Sequence, residues 1–284
     1  MILFHRVTKL VDVLGPILLS ALSLWICFLL IQPIALTLDP NFTLLANRSI
    51  GKIAFTLIVL IHILLLAAAK PHRWWQQFMH TNVYFLGTTA WIKPFLNMFC
   101  LFFAGHTLLL FTLTTTPYAT CSLPSLSLVL HKLPNLLFGF VATFFLALTE
   151  EAIFRGTLIP LFFHTMSRCS SILLSALIFM LAHNLTAPWE LITTDWALGL
   201  GLFLLGTMLA QIYTVTNTLY MGMGAHAGLV FVKVFLRRIP CITYTQPLPW
   251  WLHPDLRQSP LVHAIFFVLI CLLFFAYQTQ FKKT

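Results

Sequence analysis

Charge is what this chain has least of. Only 8% of its 284 residues are Asp, Glu, Lys or Arg, against about 25% in a soluble globular domain. That leaves too little polar material to cover a water-facing surface, which excludes an ordinary soluble fold. Acidic groups are scarcer than basic ones, 7 against 16, and the net charge is +9. In a soluble chain that balance would point to nucleic acid. Here no basic run is interleaved with stacking aromatics, and the cations lie mostly between apolar runs, so nucleic acid is not expected as a partner. The six cysteines show no C-x-x-C spacing. Cys27, Cys100 and Cys271 fall inside apolar runs, where Cys acts as a small hydrophobe, while Cys121 and Cys241 are in loops and could pair. Also absent are an H-E-x-x-H helix, a G-x-S-x-G elbow and a P-loop. No internal repeat and no strand signal is visible. Ser171, Ser175 and Cys169 are nucleophiles that nothing singles out.

What the chain has in abundance is apolar length: 60% of it is hydrophobic. Windows long enough to cross a bilayer, about 20 residues each, occur at 10–36, 50–69, 95–115, 134–154, 171–186, 196–213, 218–236 and 260–279. A spanning backbone must satisfy its own hydrogen bonds. The expected fold is therefore all-α, a polytopic membrane bundle of about eight transmembrane helices with the lipid bilayer as its first partner. The run from Leu10 to Leu38 is longer than a signal-peptide core and reads as the first membrane helix. Loops are expected at Asp39–Asn41, Pro71–Trp75, Pro117–Pro124 and Pro240–Pro260, with Trp74, Trp75, Trp250 and Trp251 at the interfaces. The Lys and Arg distribution favours both termini in the cytoplasm. Few lysines and compact loops suit a multi-pass protein of a cell membrane, a bacterial inner membrane in particular.

Against this background, Thr149-Glu150-Glu151-Ala152-Ile153-Phe154-Arg155 stands out. Between Pro134 and Phe163 its Glu150, Glu151 and Arg155 are the only charged residues. An ionisable group at membrane depth costs at least about 2.5–3.5 kcal/mol, so three together need a reason. Glu151 and Arg155 are four apart and share a helix face, so they can pair. Glu150 lies about 100° round the helix and is less easily neutralised. One carboxylate is tied down and the other is available, which is the asymmetry a catalytic pair needs.

Two later apolar segments add imidazoles. His183 closes the run Ile172–Ala182, with Asn184 beside it. His226 lies in Gly222-Met223-Gly224-Ala225-His226-Ala227-Gly228, whose small residues admit a close-packed neighbour. A carboxylate and two imidazoles in a low-dielectric pocket can bind a metal or activate a water. Taken singly, a histidine at membrane depth is more often a helix-to-helix hydrogen-bond partner. His62, His106 and His263 are read that way, and His164 as interfacial. Glu151 with Arg155 alone would be a structural ion pair.

These residues resemble the CPBP intramembrane proteases, the CAAX-protease or Abi group. Its E-E-x-x-x-R motif is matched by Glu150-Glu151-Ala152-Ile153-Phe154-Arg155, its F-x-x-x-H by Phe179-Met180-Leu181-Ala182-His183, and its third motif, a lone histidine, by His226. The spacings also agree, His183 following Arg155 by 28 positions and His226 following His183 by 43. The three motifs cover about the middle third of the chain. This implies a catalytic core over residues 121–284 and an N-terminal helical region, 1–120, without a motif. It also implies an endopeptidase that hydrolyses a peptide bond in a membrane-associated or lipidated substrate. By the same resemblance Glu150 is the general base assisted by His183, and His226 polarises the carbonyl or holds its oxyanion. Arg155 and Glu151 hold the site together. The cofactor is left open between zinc, with Glu150, His183 and His226 as its ligands, and none. One position departs: Val230 stands four residues after His226, where the family carries Asn. Asn184 and Asn217 are the candidate substitutes for that donor. The departure keeps a second expectation alive, a non-proteolytic scaffold or bacteriocin immunity protein of the same fold. A proton-coupled transporter is a third class, without the repeated halves such proteins carry.

Overall fold

A computed structural model of the chain describes residues 89–163, 166–184, 187–245 and 247–281. The expected spans at 10–36 and 50–69, together with Cys27, His62, Trp74, Trp75 and His164, lie outside these residues. The six remaining apolar windows each form a helix. These are α1 (Ile92–Leu113), α2 (Leu126–Glu151), α4 (Arg168–Leu181), α5 (Trp196–Thr216), α6 (Leu219–Arg238) and α7 (Pro260–Phe281). Between α2 and α4 the chain continues through a π-helical turn, Ala152–Leu158, into the short α3 (Ile159–Phe163).

Five of these helices are long and apolar enough to cross a membrane, and the chain is a multi-pass membrane protein. The window at 171–186 is the exception. It forms a 14-residue helix, about 21 Å long and too short to span, which ends in a 3-10 turn, Ala182–Asn184. The window at 134–154 understates its helix, because α2 starts at Leu126 and keeps Pro134 inside it. Side-chain caps set several starts: Ser125, Ser167 and Thr218 accept from Leu128, Ser170 and Met221 respectively. Asn217 ends α5 in the left-handed conformation (φ 51°). With Thr218 it turns the chain straight back into α6.

Two strands, β1 (Ala119–Cys121) and β2 (Ile242–Tyr244), pair antiparallel, where none was expected. Three residues are too few to show a period-two alternation, so they read as loop. The pair ties the α1–α2 connection to the α6–α7 connection. Tyr118 meets Trp251 edge-on at 5.7 Å beside it. Cys121 and Cys241 lie on this ribbon as free thiols.

The glycines of α6 let two long helices pack backbone against backbone. A Cβ on Gly224 would collide with the carbonyl oxygen of Phe95, and one on Gly228 would sit 2.6 Å from that of Phe99. Equal steps of four on both helices mean that α1 and α6 run parallel, backbone against backbone. Phe95, Phe99, Phe140, Phe144 and Phe231 fill the space around this seam. The outer surface is apolar too, with Leu101, Leu108, Leu137, Val268 and Phe275 about half exposed or more. A soluble protein would aggregate through such a girdle, whereas lipid covers it here.

Gly224→Val is expected to lower stability in detergent by about 1–3 kcal/mol or more, since the obstacle is backbone and cannot rotate away. Gly105, on α1, has nothing within 4 Å of an added Cβ. Gly105→Ala is expected to be neutral or stabilising by up to about 1 kcal/mol, so thermal unfolding of the two variants separates a packing glycine from a passive one.

Candidate active site

The charged stretch lies where α2 gives way to the π-helical turn. A π turn leaves backbone carbonyls without their i+4 partners, and such turns concentrate at functional sites. Side chains take up the freed groups: Thr157 donates to the Ala152 carbonyl at 2.9 Å, and Ser175 on α4 donates to that of Phe154 at 2.9 Å. The turn also places Arg155 deep in the bundle, with no solvent exposure. Its Nη1 donates to Glu151 Oε1 at 2.9 Å and its Nη2 to the Gly206 carbonyl on α5 at 3.0 Å. The guanidinium lies 4.5 Å over the Phe179 ring, where the ring quadrupole adds to its stabilisation. The pairing expected from spacing is thus present, and it is anchored to two further helices.

The same Glu151 oxygen accepts from His226 Nδ1 at 2.9 Å. The α6 histidine is thereby held in one orientation, with Nε2 facing Glu150 Oε2 at 3.6 Å. Gly222 makes room for this arrangement, because a Cβ there would lie 3.0 Å from Glu151 Oε2. From α4, His183 Nδ1 donates to the Phe179 carbonyl at 2.8 Å. That bond puts the Nδ1 proton in place and leaves Nε2 as an acceptor in the neutral ring. This Nε2 stands 4.0 Å from Glu150 Oε2. The structure therefore brings Glu150, Glu151, Arg155, His183 and His226 into one cluster. Glu150 Oε2 is buried with no hydrogen-bond partner among the described residues. The Glu150 and His183 side chains are 14% and 25% exposed, so this side of the cluster is open.

The substitutes considered for the missing Asn make contacts of their own elsewhere. Asn217 is the cap between α5 and α6, nine residues before His226 on the chain. Asn184 is committed to its own loop, donating to Glu190 and accepting from Ala187 N–H. Val230 is partly buried on α6. Of the histidines set aside, His263 bonds the Arg257 carbonyl at 2.8 Å, while His106 Nδ1 is buried on α1 with no hydrogen-bond partner among the described residues.

Residues 132–232 match the family model for type II CAAX prenyl endopeptidases, Rce1-like. All five clustered residues fall inside that stretch, in the motif order. Over this stretch, about a third of its length, the chain is similar to the CPBP/CAAX protease family. No curated protein and no solved structure matches the chain.

A zinc ion held by Glu150, His183 and His226 is one expectation for this CAAX-family site. Ligands about 2.0–2.1 Å from a tetrahedral zinc lie about 3.3–3.4 Å from one another. The separations from Glu150 here are 3.6 and 4.0 Å. Among the described residues no three His, Cys, Asp or Glu groups are arranged to hold a metal. The residues as placed do not fit a resident zinc, and no step below passes through one.

Arg155→Met would leave the buried Glu151 carboxylate without its cation, and breaking such a pair costs about 3–5 kcal/mol. Denaturant unfolding in detergent is expected to show that loss. A Glu151→Met, Arg155→Met double variant is expected to lose less than the sum of the two single changes.

Proposed function

We propose that this membrane protein is an intramembrane endopeptidase in which Glu150 activates a water molecule. What carries this reading is the buried, unpartnered Glu150 Oε2 facing the Nε2 atoms of His183 and His226. Glu150 Oε2 and the Nε2 of His183, whose Nδ1 proton is taken up by the Phe179 carbonyl, are both acceptors, and a water can supply the hydrogens they lack. A water about 2.8 Å from both Glu150 Oε2 and His183 Nε2 subtends an angle of about 90° across their 4.0 Å gap, close to that between its own O–H bonds.

In the reaction one water hydrogen passes to Glu150 as the oxygen attacks the scissile carbonyl carbon, and His183 orients the other. The carbonyl oxygen takes up negative charge and is met by a proton on His226 Nε2. Glu151 accepts from Nδ1 of the same ring and so fixes its orientation, while Arg155 holds Glu151 in place. Glu150 then returns its proton to the leaving amine as the C–N bond breaks. A fixed donor in such a site is worth about 10²–10³ in rate. The second Asn-type donor is missing, so His226 carries this role alone. The apolar girdle suits a substrate that arrives within the bilayer, which supports a membrane-associated or lipidated peptide.

Val230 supports a second reading. A cavity with one oxyanion donor could bind a partner without cutting it, as a scaffold or immunity protein would. Peptide cleavage in detergent by wild type and Glu150→Gln decides between them. The protease loses about 10²–10⁴-fold in kcat with Glu150→Gln and keeps its activity in chelator. Wild type that cleaves nothing across a broad panel of membrane peptides, while retaining its fold, favours the second reading. Activity abolished by chelator and restored by zinc overturns the metal-free site.

A further inference from the structure

Ser171 and Ser175 lie one turn apart on the same face of α4, and both are buried, at 0% and 1% exposure. Their hydroxyls are used differently. Ser171 Oγ donates to the Ser167 carbonyl at 2.9 Å, four residues back in its own helix, as helical serines commonly do. Ser175 Oγ donates instead to the Phe154 carbonyl, also at 2.9 Å, and Phe154 belongs to the π turn. A π turn offers carbonyls without their i+4 partners, and Ser175 takes up one of them from another element. Steps of four continue along α4 through Phe179 to His183, which puts Ser175, Phe179 and His183 in one stripe, about 6 Å apart along the axis. All three meet the α2–π segment. Ser175 holds the Phe154 carbonyl. The Phe179 ring meets the Phe154 ring edge-on at 5.1 Å and lies under the Arg155 guanidinium. His183 faces Glu150. The chain thus runs forward from Ser175 to His183 while its neighbour runs back from Phe154 to Glu150. On its other side α4 lies close against α5, where a Cβ on Gly206 would be 3.1 Å from the Ala176 Cα. That contact blocks sideways movement, and sliding along the axis is the freedom that remains.

We propose that Ser175 is a positioning residue for the reaction: its bond to the Phe154 carbonyl sets the slide of α4 along α2, and with it the gap between Glu150 and His183 that one water has to bridge. This rests on the glutamate-activated water of the preceding reading. The gap has little tolerance. At 4.0 Å a water about 2.8 Å from each atom subtends about 90°, whereas at about 5 Å it would subtend about 125°, well beyond the angle between its own O–H bonds. A misplacement of about 1 Å can cost about 10²-fold in rate. Ser175 Oγ is committed to a backbone carbonyl, so the residue acts through His183 and not as a nucleophile.

The test compares Ser175→Ala with Ser171→Ala in the full-length protein in neutral-lipid nanodiscs. Each variant loses one buried hydroxyl bond, so both are expected to lower the thermal unfolding temperature by a similar amount. Cleavage of a quenched fluorescent membrane peptide is expected to part them. Ser175→Ala lowers kcat about 10–100-fold and leaves KM within about twofold, while Ser171→Ala stays within about twofold of the unsubstituted protein in both. Ser175→Cys keeps the volume and offers only a weak S–H donor. It is expected to follow Ser175→Ala in kcat and the unsubstituted protein in unfolding, and it carries the comparison if the Ala variant does not fold. A second readout is independent of turnover: nitrogen NMR of isotope-labelled histidine rings, with His183 assigned by its loss in His183→Gln. The His183 Nε2 resonance is expected to shift with Ser175→Ala or Ser175→Cys and to stay in place with Ser171→Ala. Equal kcat losses in the two Ala variants overturn the positioning role, as does a loss confined to KM or an unmoved His183 resonance. A shifted resonance in a protein that cleaves nothing upholds the placement of His183 by Ser175 and refutes the proteolytic reading.

Discussion

The ion pair between Glu151 and Arg155, with no solvent exposure on either side, is the constraint on which the bundle depends. Two buried charges cost several kcal/mol each to desolvate, and only good geometry with further hydrogen bonds repays it. The surroundings supply both. The π turn orients Arg155, the Gly206 carbonyl takes one of its donors, and the Phe179 ring lies under its face. The pair thus determines how α2, α4 and α5 approach one another. It also prepares the chemistry, because the Glu151 oxygen that binds Arg155 is the one that orients His226.

Glycine performs the complementary task of removing obstacles. Gly222 clears space beside Glu151, while Gly224 and Gly228 bring α6 onto α1. His226 is carried between these glycines, so its position follows from the backbone approach. Lipid offers no hydrophobic drive between helices, and close van der Waals contact at small residues takes its place. The short α4 plays a different part. Because it stops after Leu181, His183 emerges on a 3-10 turn beside the open side of the Glu150 carboxylate.

The end of the bundle where α1 and α6 terminate is built from connections. The β1–β2 ribbon, the Tyr118–Trp251 contact and the clamp of Asp255 on Lys233 and Arg257 join loops far apart in sequence.

Much of the site was legible in the sequence, because charge in an apolar run is too costly to be incidental. Spacing alone paired Glu151 with Arg155, left Glu150 free, and marked His183, His226 and the glycines around it. The all-α membrane class followed from apolar length. Other features depended on contacts between distant segments. Three-residue strands carry no periodicity, so the ribbon was invisible. The π turn has no composition signal and shows only in where its carbonyls go. Nothing local marked Lys233, Asp255 and Arg257 as one group, since 22 positions separate Lys233 from Asp255. The sequence determined that the charges must be buried together, since lipid would not hold them apart. Only the tertiary structure decided which oxygen faces which nitrogen, since that depends on how closely backbones without side chains can approach.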